Sequence, residues 1–182
     1  MKMTIKNCRL AFPAIFEAKA VNPGDTPAFS ASLLFGKDHP QLADIKKAIS
    51  TVASDKWKDK AAAILKQLEA GGKTALHDGD IKAAYDGFEG NLFISARNQS
   101  KPAVKDRDGK TDLTRADGRP YGGCYVNAVV EFWAQDNNYV KRVNATLLGV
   151  QFVRDGAAFA GGTTASDDDF EDLSADEADS LM

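Results

Sequence analysis

Residues 124–134 read Cys-Tyr-Val-Asn-Ala-Val-Val-Glu-Phe-Trp-Ala and alternate between apolar and more polar side chains. This alternation predicts a β-strand with one buried face, because successive side chains of a strand point to opposite sides. The outward face carries two aromatic rings, Tyr125 and Trp133. The predicted inward face consists of the alternate residues Cys124, Val126, Ala128, Val130 and Phe132.

Other stretches on both sides of this one also predict strands. Before it lie residues 3–12, which Pro13 is expected to stop, and then residues 28–35 and 91–98. After it, a turn leads into a return strand, or two successive strands, over residues 139–154. The phenylalanines assigned to the core of these strands are Phe12, Phe29, Phe35, Phe132 and Phe152.

Between residues 38 and 71 the apolar period changes to that of helices. Leu42, Ile45, Ile49 and Val52 form one apolar stripe, and a second stripe follows Ser54, a residue type that caps helices. Five or six strands with an insertion of about two helices favour a mainly β protein with a β-barrel of the OB type. Two stacked sheets are the structural alternative.

Charge is divided unevenly along the chain. The 182 residues carry 23 basic and 26 acidic side chains, a net charge of −3. Residues 163–182 hold eight of the acidic side chains and no Lys or Arg, which leaves residues 1–162 with a net charge of +5. We therefore expect one domain over residues 1–162 and a disordered acidic tail over 163–182, because the tail has too little apolar surface to offset the entropy of ordering it.

An acidic tail on a basic body has two specific uses. It can occupy the cationic groove of the body as a mimic of a polyanion, or it can dock on a basic pocket of a partner. A solubilising tail without a specific role is the alternative. The tail residues that would act in either way are Asp167, Asp168, Asp169, Phe170, Glu171 and Asp172.

Several classes of function have no support in the sequence. No run of about 18 apolar residues predicts a membrane span, and the first residues lack the apolar core of a signal peptide, so a cytosolic location is expected. Cys8 and Cys124 form no CxxC motif and are predicted to be reduced and buried. His39 and His77 lie at no metal-ligand spacing. The chain is therefore predicted to be non-enzymatic, with no metal and no cofactor.

A binding function fits the residues better. A protein that binds single strands without regard to sequence needs cations along a groove and aromatic rings on which bases stack. Residues 99–123 form a long, basic loop, and loops of this length are usually functional or disordered. The residues predicted to stack on bases are Phe93, Tyr121, Tyr125, Trp133 and Tyr139. The residues predicted to contact phosphates are Arg97, Lys101, Lys105, Arg107, Lys141 and Arg142. For each ring, ordinary packing is the alternative.

Five segments, spread from near the first residue to the tail, form a specific combination. They are residues 9–20 (RLAFPAIFEAKA), 29–35 (FSASLLF), 121–128 (YGGCYVNA), 147–156 (LLGVQFVRDG) and 161–170 (GGTTASDDDF). In this combination the chain resembles a family of bacteriophage single-stranded DNA-binding proteins, formerly a phage domain of unknown function. Many members have Tyr-Ser-Gly-Cys where this chain has Tyr-Gly-Gly-Cys at 121–124.

The resemblance implies an OB fold and sequence-independent binding to single-stranded DNA during phage replication and recombination, in the cytoplasm of the bacterial host. It also implies that the acidic tail contacts replication or recombination proteins. From the residues alone two other functions stay open. One is an adaptor that binds proteins and carries a solubilising tail, and the other is a metal-dependent nuclease whose carboxylates meet in space. The oligomeric state stays open as well.

Overall fold

The structure is a computed structural model that describes residues 1–20, 22–159, 170, 171 and 173. Within these residues the chain forms seven strands and two α-helices. They are β1 (Lys2–Lys19), β2 (Ala28–Phe35), α1 (Leu42–Trp57), α2 (Ala61–Ala70), β3 (Leu76–Asp78), β4 (Leu92–Asn98), β5 (Ala103–Lys105), β6 (Tyr125–Asp136) and β7 (Lys141–Arg154).

Five of the strands close into a barrel. β1 pairs antiparallel with β2 on one side and with β6 on the other, β2 pairs antiparallel with β4, and β6 with β7. A parallel contact between β4 and β7, at Arg97 and Thr146, closes the ring. A closed five-stranded barrel of this kind is the OB architecture. The predicted β-barrel is confirmed, and the alternative of two stacked sheets is wrong.

The barrel interior follows the alternation of the strands. All five residues predicted to face inward from residues 124–132 are fully buried. They meet the inward residues of the neighbouring strands, such as Ile5 of β1 and Leu33 of β2, in one apolar core. Cys8 and Cys124 are both free and buried, as predicted. The outward faces of β2, β4 and β7 carry polar side chains over part of their length, such as Ser30, Arg97 and Thr146.

β1 departs from the predicted pattern because it contains two bulges. Asn7 and Phe12 have positive φ angles of 53° and 47°, and the pairing register shifts beside each of them. A bulge adds one residue to a strand and reverses which face the following residues take. Phe12 therefore points out of the barrel and is 45% exposed, so its assignment to the core was wrong. Pro13 lies in the gap of the ladder, where no N–H is needed, and the strand continues to Lys19.

The helical insertion connects β2 to the segment before β4 and spans 42–70, inside the predicted 38–71. Its apolar stripe, which includes Ile45, Ile49 and Trp57, is buried, and α1 packs against β6. The break between the helices is the 3-10 turn Lys58–Lys60, at a positive φ of Lys58, and not the predicted cap at Ser54. Among the described residues no helix is long and apolar enough to cross a membrane.

The segment between α2 and β4 covers part of the outer barrel surface. β4 and β7 are paired at one position, Arg97 and Thr146. β3 fills the space where they separate, with Thr74 bridged to Val143 and Leu76 paired with Ile94. Residues 79–91 then cross the outer face of β4. Gly79 allows this approach, because a side-chain carbon there would lie 1.9 Å from the carbonyl oxygen of Phe88.

A second, small apolar cluster forms under this segment. Phe88 packs edge-on against Phe93, with ring centroids 5.0 Å apart, and both are buried with Ala11 and Leu34. The cluster lies outside the barrel, on the surface that alternation assigns to solvent. It fixes residues 79–91 in place and so defines one end of the open surface beside them.

The predicted long basic loop is more ordered than its composition suggests. Within residues 99–123, β5 pairs in parallel with residues 149–151 of β7. Two ion pairs, Lys105 with Asp112 and Arg119 with Asp106, hold its turns. After β7, residues 155–159 run back along the barrel, where the guanidinium of Arg9 donates to the Ala157 carbonyl oxygen at 2.7 Å.

Candidate nucleic-acid interface

An open groove with a volume of about 1470 Å³ lies on the outer face of the barrel. Its floor is the outward face of β2, β4 and β7, because the pairing register lines up their side chains. Ser30 of β2 lies opposite Arg97 of β4, and Arg97 lies opposite Thr146 of β7. In the strand order of the barrel, β1 and β6 flank this floor.

Arg97 stands near the centre of the floor. Its neighbours across the strands, Ser30 and Thr146, are short, so the long guanidinium side chain extends above them into the groove. Arg97 is exposed, and its side chain makes no ion pair or hydrogen bond with any residue that the structure describes. A guanidinium in this situation keeps its five N–H donors available for an anionic ligand.

The charge of the groove lining is positive. Lys82, Arg97 and Arg142 line it, against the single carboxylate of Asp25, which gives a formal charge of +2 with His77 neutral. The Asp25 carboxylate accepts a hydrogen bond from the backbone N–H of Asn22 at 3.1 Å. Within the described part of the chain, none of the three cations forms an ion pair. The groove therefore attracts polyanions.

Aromatic rings stand on both flanks of the floor. On the β6 side, Trp133 is 42% exposed, and its indole N–H donates to the Thr146 hydroxyl at 3.0 Å, which fixes the ring beside Arg97. On the β1 side, Phe12 and Tyr85 meet edge to face at 5.1 Å, and Tyr85 is 52% exposed. Each ring offers apolar surface to the groove that could receive a flat ligand.

His77 completes the lining between β4 and β7. Its ring stacks on Phe93, with centroids 4.9 Å apart and an angle of 22° between the planes. Burial lowers the pKa of the imidazole below its ordinary value, and the positive charges of Lys82 and Arg142 lower it further. His77 is therefore neutral near pH 7 in the free protein.

Three of the residues predicted from the sequence come together in this groove: Arg97, Arg142 and Trp133. Tyr139 is 95% exposed in the turn between β6 and β7 and does not line it. Lys141, the next strand residue, is paired with Asp136 at 3.7 Å. The roles predicted for Tyr139 and Lys141 stay predictions.

The structure corrects the prediction that Phe93 stacks on bases. It points outward from β4, as alternation predicts, but the segment 79–91 covers it and only 1% of it is exposed. Phe88 and His77 occupy the ring surfaces that a base would need. Phe93 supports the groove from below and is not a stacking surface.

Tyr121 and Tyr125 lie elsewhere on the barrel. The Tyr121 hydroxyl donates to Asp155 at 2.8 Å. The guanidinium of Arg154 lies 3.9 Å above the ring centroid of Tyr125, and Arg9 approaches the same ring at 5.7 Å. The structure does not bring these two rings to the groove, because both hold the chain that follows β7.

The remaining predicted residues fall outside the groove or outside the described residues. Lys101 follows Ser100, a groove-lining residue, whereas Lys105 and Arg107 lie farther along, where Lys105 is paired with Asp112. In the tail, Phe170 and Glu171 are exposed, and Asp167, Asp168, Asp169 and Asp172 lie outside the described residues. No group of three or more metal-ligating side chains occurs among the described residues.

Among the aromatic, basic and histidine residues of the lining, sequence reasoning missed Phe12, His77, Lys82 and Tyr85. Three of them belong to the segment 73–90, whose turn-rich composition gave no indication that it folds onto the outer face of the barrel. The available signal was Tyr85 together with Phe88, two rings in a segment without strand or helix periodicity. Such rings need a surface to pack against.

Comparison with known proteins agrees with this geometry. The family model described as the single-stranded DNA-binding protein of Enterobacter phage Enc34 matches residues 1–181. Protein p50 of Acyrthosiphon pisum secondary endosymbiont phage 1 is 45% identical over 185 residues, which cover 100% of this chain and 99% of that protein.

Two solved structures extend the comparison. The single-stranded DNA-binding protein of bacteriophage Enc34 in complex with single-stranded DNA has a TM-score of 0.68 and 27% identity, over 87% of this chain and 89% of that one. The single-stranded DNA-binding protein gp2.5 of bacteriophage T7 has a TM-score of 0.59 at 13% identity, over 91% of this chain and 98% of that one, a likeness of fold alone. The family and these structural neighbours are single-stranded DNA-binding proteins and not enzymes, in agreement with the prediction.

Proposed function

This chain belongs to the family of the single-stranded DNA-binding protein of Enterobacter phage Enc34, and we propose that it binds single-stranded DNA, without regard to sequence, in the groove over β2, β4 and β7. The observation that carries the proposal lies in one open groove of an OB barrel. There, cations that form no ion pair with any described residue occur together with half-exposed aromatic rings. The corresponding face of OB barrels is a common site for oligonucleotides.

The two kinds of side chain have separate tasks. Arg97, Arg142 and Lys82 contact backbone phosphates, and this contribution weakens as salt rises because bound counterions are released. Trp133, Tyr85 and Phe12 receive base faces, each stack contributing about 1–3 kcal/mol. Because every base has an aromatic face, this arrangement binds all sequences and coats single strands during replication and recombination of phage DNA in the bacterial host.

The acidic tail is the second part of the proposal. It competes with DNA for the groove and, when DNA displaces it, becomes available to replication or recombination proteins. The position of residues 155–159, which precede the tail, supports this competition. Phe159 packs on the small apolar cluster, and the guanidinium of Arg9 lies 4.2 Å from the centroid of the Phe159 ring. Phe88 belongs to the same cluster and also contacts Phe12 and Tyr85, so Phe159, the last described residue before the tail, lies close to the aromatic flank of the groove.

Tryptophan fluorescence tests the proposal directly. The chain has two tryptophans, and Trp57 is buried with its indole N–H bonded to Asp136 at 2.9 Å. A Trp57→Phe variant therefore leaves Trp133 as the reporter in the groove. Titration with an oligonucleotide of thymidines should quench this signal at low salt and less at high salt, and the matching duplex should have little effect. If neither fluorescence nor a gel-shift assay distinguishes the single strand from the duplex, the proposal is wrong and the adaptor function becomes the better explanation.

A further inference from the structure

We propose that His77 couples DNA binding to protonation: in the complex its imidazole is positively charged and shares a backbone phosphate with Lys82 and Arg142, so that the protein takes up a proton when single-stranded DNA binds. This inference rests on the proposed function of the groove and adds a pH-dependent contact to it. The chain has two histidines, which makes the assignment open to a clean test.

The position of His77 makes its nitrogens available to a ligand. β3 holds the residue in the gap between β4 and β7, and cross-strand pairing with Phe93 sets its ring flat on the ring beneath it. Neither imidazole nitrogen hydrogen-bonds to a described residue, and the side chain lines the groove. His39 is the opposite case, since its Nε2 lies 2.7 Å from the Lys6 carbonyl oxygen and its Nδ1 accepts from the Gln41 N–H at 3.1 Å.

The charged groups that face His77 are cations. Lys82 comes from the turn after β3 and Arg142 from β7, while β4 presents the ring of Phe93. The carboxylates closest in sequence are engaged by backbone groups: Asp78 accepts from the N–H of Asp80, and Asp80 accepts from the N–H of Gly90. Burial and these two cations keep the imidazole neutral in the free protein, because its charged form would add a third positive charge to the same place.

A phosphate changes this balance. An anion placed between Lys82 and Arg142 compensates their charge and favours the protonated imidazole, which then donates a hydrogen bond to it. An opposite charge within about 4–6 Å shifts a pKa by about 1–3 units. The pKa of His77 is therefore expected to be higher in the complex than in the free protein.

The sign of the pH effect follows from this difference. Since the complex binds the proton more tightly than the free protein does, DNA affinity rises as pH falls through the pKa of the complex. It levels off below the pKa of the free protein, which lies under the ordinary histidine value. Each unit of difference between the two pKa values corresponds to about a tenfold change in affinity. The gain is thus lost as pH rises from below the pKa of the free protein to above the pKa of the complex.

The experiment measures the dissociation constant of the full chain for an oligonucleotide of thymidines, whose bases do not titrate in this range. Wild type, His77→Gln and the matched control His39→Gln are compared between pH 5.5 and pH 8 at one sodium concentration. From pH 8 to pH 5.5, the affinity of each protein for DNA is compared with its own value at pH 8. The rise in affinity should be about tenfold larger for the wild type and for His39→Gln than for His77→Gln. The tail carboxylates titrate in all three proteins, so only the difference between His77→Gln and the other two proteins is assigned to His77.

A second measurement tests proton uptake in the wild type itself, so its main result does not depend on the folding of a variant. Calorimetric titration of the wild type at pH 6.5, in two buffers with different ionisation enthalpies, reports the protons taken up per DNA bound. Uptake of a substantial fraction of one proton supports the inference, and its loss in His77→Phe, which keeps a ring on Phe93, assigns it. If the wild type binds DNA with no proton uptake, or if His77→Gln keeps the full pH dependence, the inference is wrong while the proposed function stands. If the wild type does not bind the single strand at any pH, both are wrong.

Discussion

Replacement of Arg97 by glutamine removes one cation from the centre of the groove without removing a contact from the core. The side chain is exposed and has no ionic or hydrogen-bonding partner among the described residues, so the free energy of unfolding should change by less than about 0.5 kcal/mol. A hydrogen bond to a charged group contributes about 1.5–3 kcal/mol. We therefore expect single-stranded DNA to bind about ten- to hundredfold more weakly.

The salt dependence gives a second, independent number. For single strands, each phosphate contact contributes about 0.7 to the slope of log affinity against log salt concentration. The Arg97→Gln variant should have a slope smaller by about 0.7, whereas Arg97→Lys should keep most of it. The assay is fluorescence titration with a thymidine oligonucleotide at four salt concentrations.

Arg107→Gln is the matched control for this prediction. It removes the same charge from the segment that follows β5. β5 pairs with residues 149–151 of β7, which lie beyond the part of β7 that lines the groove. Little change is expected in its affinity or its slope. If Arg107→Gln weakens binding as much as Arg97→Gln does, the interface extends over that segment. If only Arg107→Gln weakens binding, the groove is not the interface and the reasoning from its geometry fails.

Three further predictions concern the rings and the tail. Trp133→Ala should weaken binding by about 1–3 kcal/mol at every salt concentration with an unchanged salt slope, because the loss is of stacking and not of charge; a changed slope would contradict this assignment. Phe88→Ala should lower the free energy of unfolding by about 3–5 kcal/mol, measured by urea denaturation, because it opens a cavity over the buried ring of Phe93; a loss below about 1 kcal/mol would mean that the segment 79–91 is not packed as described. Deletion of residues 163–182 should tighten DNA binding, and most at low salt, since eight carboxylates no longer compete for the groove; equal affinities at low salt would rule out the competition.

The barrel and the centre of the groove were predictable because both depend on local alternation. The buried face of β6 followed from the period of residues 124–132, and the same period placed Trp133 outward. Arg97 was found in the same way, as an outward residue of β4. The strand phase thus predicted which side chains leave the core wherever pairing is regular.

The flanks of the groove depend on events that alternation does not encode. The bulges at Asn7 and Phe12 reverse the phase within β1 and turn Phe12 from the core into the groove. Phe93 points in the predicted direction, but a segment distant from it in the sequence folds over it. Tyr125 is occupied by Arg154, which the chain brings back only at the end of β7. The errors at Phe93 and Tyr125 concern contacts between parts of the chain that no local pattern relates, and the error at Phe12 comes from a bulge that alternation does not reveal.

The composition of the groove explains why it should prefer single strands and yet tolerate any sequence. Its floor carries short hydroxyl side chains on β2 and β4, such as Ser32 and Ser95, which do not reach far toward a base. The amide of Asn144 donates to that of Gln135 at 2.8 Å, so these two long polar side chains bond in part to each other and not to a ligand. The rings at the flanks need base faces, which a duplex buries in its own stack and a single strand exposes. Discrimination against the duplex therefore comes from the rings, and the salt-dependent part of the affinity comes from the cations. Neither contribution requires a hydrogen-bonding pattern that reads one base.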